Sequence, residues 1–167
     1  MHALVSLAKM AVERYITTQT VSIPRELTPE MKQRAGAFVS IKINSQLRGC
    51  IGTIMPVRKD LAEEVVYNAV SSATRDPRFP PIAISELPYL SYSVDVLTPL
   101  ERVADTKLLD PVRDGVIVEA GQRRGVLLPA LEGVDTVDQQ IMICREKAGI
   151  LPHEPVTVYS FQVKRYD

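Results

Sequence analysis

A chain of 167 residues, 46% apolar and 24% charged, is long enough to enclose a hydrophobic core and too apolar to stay disordered. Twenty basic residues offset twenty acidic ones, so no net field draws the molecule toward membranes or nucleic acid, and RNA is at most a minor expectation. Cys50 and Cys144 stand far apart without metal-type spacing, which fits free thiols in the cytoplasm and calls for neither metal nor cofactor.

Residues 2–16 carry Leu4, Val5, Leu7, Ala8, Ala11, Val12 and Tyr15 at helical spacing, opposite Lys9, Glu13 and Arg14, and predict an amphipathic helix. After a loop, Thr28-Pro29-Glu30 offers a capping residue followed by proline, predicting at most two helical turns that end near Gly36. Residues 37–43 alternate with Val39, Ile41 and Ile43 on one side, as in a half-buried strand. Asn44-Ser45-Gln46 is turn chemistry, so residues 47–53 pair back as a hairpin that Pro56 ends. Asp60 caps a helix reaching about Arg75, with Leu61, Val65, Val66, Ala69, Val70 and Ala73 as its buried stripe.

Three prolines make residues 76–81 a stiff loop in which Phe79-Pro80 is a candidate cis bond. A strand over 90–97 and one helical turn over 105–110 come next. Residues 115–119 and 125–128 then form a hairpin around a loop at 120–124. Thr136 caps a helix to about Ala148 with Gly149 closing it, and residues 156–163 alternate as a last strand. About three helices and six strands, joined mainly by hairpins, predict an α+β fold. It is a mostly antiparallel sheet with flanking helices, one domain over residues 1–167 with room for two lobes and a cleft.

The stretch Leu47-Arg48-Gly49-Cys50-Ile51-Gly52-Thr53 carries the chemistry. Strict alternation puts Arg48, Cys50 and Gly52 on one face, with the cation and the thiol about 6–7 Å apart. Gly49 and Gly52 then leave backbone bare beside them for a ligand to approach. Arg48 is read either as an anion anchor or as half of a structural pair with Asp76 or Asp95. Cys50 is read either as a catalytic nucleophile whose thiolate Arg48 favours, or as a small buried residue. The loop of Asp76, Arg78, Phe79 and Pro80 is a recognition wall or a stiff connector, with Phe79 inward and Arg78 toward the site. Arg123-Arg124 and Lys164-Arg165 are the residues from which a basic patch would be built.

Three segments taken together, Leu-Arg-Gly-Cys-Ile-Gly at 47–52, Asp-Pro-Arg-Phe-Pro-Pro at 76–81 and Glu-Leu-Pro at 86–88, resemble the AMMECR family. That family is named for the Alport syndrome, midface hypoplasia and elliptocytosis chromosomal region, and is known in microbes as protein A of the AmmeMemoRadiSam system. The resemblance runs over roughly residues 4–164 and implies a two-lobed α+β domain. It also implies association with Memo-like metalloproteins and radical-SAM enzymes. The function expected is a binding or accessory module holding a small anionic ligand or a partner peptide in a cleft at the 47–53 strand, walled by the 76–81 loop. A cysteine-dependent enzyme using Cys50 with Arg48, and an RNA-binding domain, are the alternatives.

Overall fold

The computed structural model describes residues 1–167. In chain order its elements are α1 (Ala3–Thr18), β1 (Ala37–Ile43), β2 (Gln46–Thr53), α2 (Leu61–Thr74), β3 (Leu90–Leu97), β4 (Glu101–Arg102), β5 (Gly115–Ala120), β6 (Arg123–Leu127), α3 (Val137–Ala148), β7 (Thr157–Phe161) and β8 (Val163–Tyr166). Short 3-10 segments lie at Ile84–Tyr89 and Thr106–Leu108. The chain divides into two compact units, Met1–Leu97 with Lys164–Asp167, and Thr98–Val163. Each has its own four-stranded sheet, ordered β2-β1-β3-β8 in the first unit and β4-β7-β5-β6 in the second. The α+β class is as expected, with two sheets in place of one.

The first unit is built on the apolar stripes of α1 and α2. Leu4, Leu7 and Val12 meet Val65 and Val66 over Val39, Ile41 and Val94 of the sheet, all of them buried. Each such side chain contributes about 1.5–3 kcal/mol relative to exposure. His2 caps α1, its Nδ1 accepting the Leu4 N–H at 3.3 Å, and its ring stacks on Tyr166 with centroids 3.9 Å apart. Asn44 and Ser45, at φ +49° and +64°, form the two-residue turn between β1 and β2.

Thr28 does accept the Met31 N–H, but a single turn follows in place of the expected helix. The carbonyls of Gln33 and Met31 are taken by the N–H groups of Leu61 and Ala62, the first residues of α2. A helix that needed those carbonyls for its own ladder cannot continue.

The second unit packs α3 on β5 and β6 around Val116, Val118, Leu127, Cys144, Ile150 and Val158. Its hairpin is tighter than expected: Ala120 pairs with Arg123 across Gly121-Gln122, with Gly121 at φ +62°. Arg123 and Arg124 are therefore strand residues, held by Glu154 and Glu119. The expected last strand is broken at Gln162, whose N–H bonds to the Thr98 hydroxyl at 2.7 Å, so the chain gives β7 to one sheet and β8 to the other.

Candidate functional site

The site begins with how α2 meets β2, the edge strand of the first sheet. Every fourth residue from Glu64 is buried and polar: Asn68 and Ser72 share its face of α2, and Asp76, just past the helix end, continues the line. Glu64 accepts from the Thr53 hydroxyl and from the N–H groups of Val57 and Arg58. Asn68 donates to the Ala37 carbonyl at 2.9 Å, and the Ser72 hydroxyl joins the Val39 carbonyl to the Ile51 N–H at 2.8 Å each. Asp76 accepts the Cys50 N–H at 2.9 Å. Unbonded backbone groups at this depth would each cost about 1–3 kcal/mol, so the polar line holds α2 and β2 in register.

Close contact of these elements fills the space at both glycines. A Cβ on Gly49 would lie 2.1 Å from the Ser72 carbonyl oxygen, and one on Gly52 would lie 2.2 Å from the Phe38 ring. The space beside Gly49 and Gly52 that the sequence leaves bare is thus filled by the chain's own atoms.

Arg48 also departs from the simple alternation. Ile41 pairs with Gly49 and Lys42 with Leu47, which leaves Arg48 as the extra residue of a bulge. Its guanidinium turns to Glu86, with Nε and Nη2 on the carboxylate at 2.8 and 3.1 Å, and Nη1 on the Pro80 carbonyl at 2.8 Å. Arg48 is paired with a carboxylate, and that carboxylate is Glu86, neither Asp76 nor Asp95. Arg48 clamps the 80–86 segment, so it is not the cation beside Cys50. It holds the Glu86 carboxyl below its ordinary range. The peptide bond of Phe79 and Pro80 is trans.

Cys50 lies on the opposite face of the sheet from α2, half-exposed, with the Ser40 hydroxyl 3.2 Å from its sulfur. Ser93 stands across from Ser40, and Asp95 across from Phe38, so these two continue the same face. Two arginines arrive here from distant parts of the chain. Arg78 forks onto Asp76 at 3.0 and 2.7 Å, and its Nη2 comes within 3.5 Å of the Cys50 carbonyl. Arg165 forks onto Asp95 with both bonds at 2.7 Å.

In both pairs the carboxylate is sealed and the cation is open. Asp76 and Asp95 side chains are 2% and 5% exposed, whereas those of Arg78 and Arg165 are 56% and 60% exposed. The Arg78 guanidinium, helped by the Cys50 and Arg78 N–H groups, holds the Asp76 carboxyl well below the usual carboxylate range although burial pushes it up. Asp95 likewise raises Arg165, and the negative form of Cys50 adds a small share to the raising of both arginines. Phe79 is half-buried with its ring 5.5 Å from the Arg78 guanidinium, and Pro80 is exposed.

Across residues 5–166 the sequence matches the AMMECR1 family. The chain belongs to that family. A protein of Thermotoga maritima is 47% identical over 99% of this chain and 97% of its own. A longer protein of Clostridium acetobutylicum is 45% identical over 97% of this chain but only 35% of its own length. The crystal structure of protein PH0010 of Pyrococcus horikoshii superposes with a TM-score of 0.85 at 34% identity, covering 97% of this chain and 88% of that one.

Of the residues singled out in this AMMECR1 chain, the structure gathers Cys50, Asp76 and Arg78, with Phe79 behind them. Arg48 is paired with Glu86, and Gly49 and Gly52 lie against Ser72 and Phe38. The sequence offers no signal for Ser40, and it marks Arg165 only as part of a basic patch with Lys164. Asp95 was weighed only as a partner for Arg48. No helix is long and apolar enough to cross a membrane.

Proposed function

We propose that this AMMECR1 chain is a binding module that takes an anionic group, carboxylate or phosphate, on Arg78 and Arg165 beside Cys50. The observation that carries the reading is the pair of exposed guanidiniums on one sheet face, each fixed by a buried aspartate. The fork to the carboxylate uses Nε and Nη2, which leaves Nη1 of each free to donate. An anion about 4 Å from a guanidinium and about 8 Å from its aspartate gains about 4 kcal/mol and loses about 2 at an effective dielectric near 20. The net attraction is about 2 kcal/mol per pair, so two pairs together suffice for a weak, selective site.

The group can belong to a free small molecule or to a peptide of a partner, and the family resemblance points to Memo-like and radical-SAM proteins as partners. A nucleophilic role for Cys50 needs a base, and its hydrogen-bond partner is a serine hydroxyl; His2 is committed to Tyr166 and Glu30.

The test is titration of inorganic phosphate and malonate, followed through the Nε–H signals of Arg78 and Arg165. Arg78→Lys and Arg165→Lys keep the charge and lose the fork. Each should weaken binding several-fold and the pair should abolish it; unchanged binding in the double variant overturns the reading. Co-purification with Memo-like and radical-SAM proteins tests the partner half separately.

A further inference from the structure

The first unit carries a second surface that the anion reading does not use. β3 has eight residues and β8 has four. β1 pairs along one edge of β3 from Leu90 to Val96, while β8 flanks the other edge. Arg165 reaches Asp95, so β8 lies beside the second half of β3. The edge at Leu90 to Ser93 has no strand against it.

A cavity of about 450 Å³ lies there. Leu90, Ser91, Tyr92 and Ser93 all line it. Successive strand residues point to opposite faces, so a hollow touching four in a row runs along the backbone edge, not over one face. Val5 and Lys9 of α1 form one wall and Lys42 the other. Lys42 has no carboxylate partner, and Lys9 holds Glu13 only loosely, at 3.8 Å between exposed groups. Asp167 is the one acidic side chain in the lining. The Tyr92 hydroxyl, on a residue 7% exposed, has no hydrogen-bond partner.

We propose that this edge is a docking slot for an extended peptide segment of a partner protein, which adds a strand to β3 in line with β8 and carries acidic side chains toward Lys9 and Lys42. Strand addition satisfies the free backbone groups of the edge, and the alternating side chains supply the selection. A small carboxylate held on one face would leave either the Leu90 and Tyr92 side or the Ser91 and Ser93 side untouched. The continuous lining therefore favours a strand.

The probe is the blocked hexapeptide Glu-Val-Thr-Val-Glu-Val added to the whole protein labelled for amide NMR. It should shift the Leu90 to Ser93 amides and slow their hydrogen exchange. A peptide with proline at the central threonine should not. Reversing both walls with Lys9→Glu and Lys42→Glu, at a half-buried and an exposed position and with the fold checked by its melting temperature, should weaken the acidic peptide by about tenfold. The same double variant should favour a peptide with lysine in place of glutamate. No shift at Leu90 to Ser93 at millimolar peptide overturns the proposal. So does an equal response to the proline peptide or to free glutamate, which would mark a site for a small carboxylate only.

Discussion

Gly49 offers the sharpest test of how this fold is held. Replacing it with alanine narrows the unfolded chain and by itself would stabilise by about 0.4–1 kcal/mol. In the folded protein the new methyl would sit 2.1 Å from the Ser72 carbonyl oxygen. That atom belongs to the backbone of α2, so relief requires the helix to withdraw by about 1 Å or more to reach ordinary contact. Withdrawal strains the Ser72 hydroxyl bonds to Val39 and Ile51, worth about 1 kcal/mol each, and overpacking adds about 1–3 kcal/mol. The sum is a loss of about 2–4 kcal/mol, or roughly 5–15 °C in melting temperature for a chain of this size. Gly52→Ala is the comparison, because it meets the half-buried Phe38 side chain at its Cγ, which must change rotamer where the Ser72 backbone would have to withdraw, and it should cost less than Gly49→Ala. Thermal and urea denaturation of both variants decide the matter. A Gly49→Ala protein as stable as the parent, or less affected than Gly52→Ala, refutes the close approach of α2 as the reason for that glycine.

Two further outcomes follow from the charges and the thiols. Asp76 and Glu86 are both held below their ordinary values by Arg78 and Arg48, so between folded and unfolded pKa values the unfolded chain binds more protons. Their contribution is complete above about pH 5 and declines as the pH falls below it, by up to about 1.4 kcal/mol per pH unit per group. Asp76→Asn should flatten that decline in an acid titration of the fold, and an identical slope in the variant would contradict it. Cys50 is half-exposed whereas Cys144 is buried, its thiol pushed up to about 11 by burial. An aromatic disulfide reagent at neutral pH should release one equivalent from the native protein and the second only on unfolding; two equivalents at one rate would be the wrong result.

Much of the fold was legible because its signals are local. The cap at Asp60, the alternation of residues 37–43 and 90–97, and the closure of α3 by Gly149 each need only a few neighbours. The site was harder. Arg165 and Asp95 stand 70 positions apart, and no period links them. The bulge at Arg48 reverses a side chain that strict alternation had placed beside Cys50, and a bulge leaves no mark in composition. One signal does lie in the sequence. The fourfold spacing of Glu64, Asn68 and Ser72 marks a polar stripe on α2 beside its apolar one, carried on by Asp76 just past the helix end. It ends at the aspartate that positions Arg78 against Cys50.

The same stripe has a consequence for self-association. The outermost strand of an open sheet is a template on which another chain can assemble, and proteins must guard it. Here Asp76, just past the end of α2, takes the Cys50 N–H of β2, and Arg78 reaches the Cys50 carbonyl. A strand added on that margin would have to displace both contacts at Cys50.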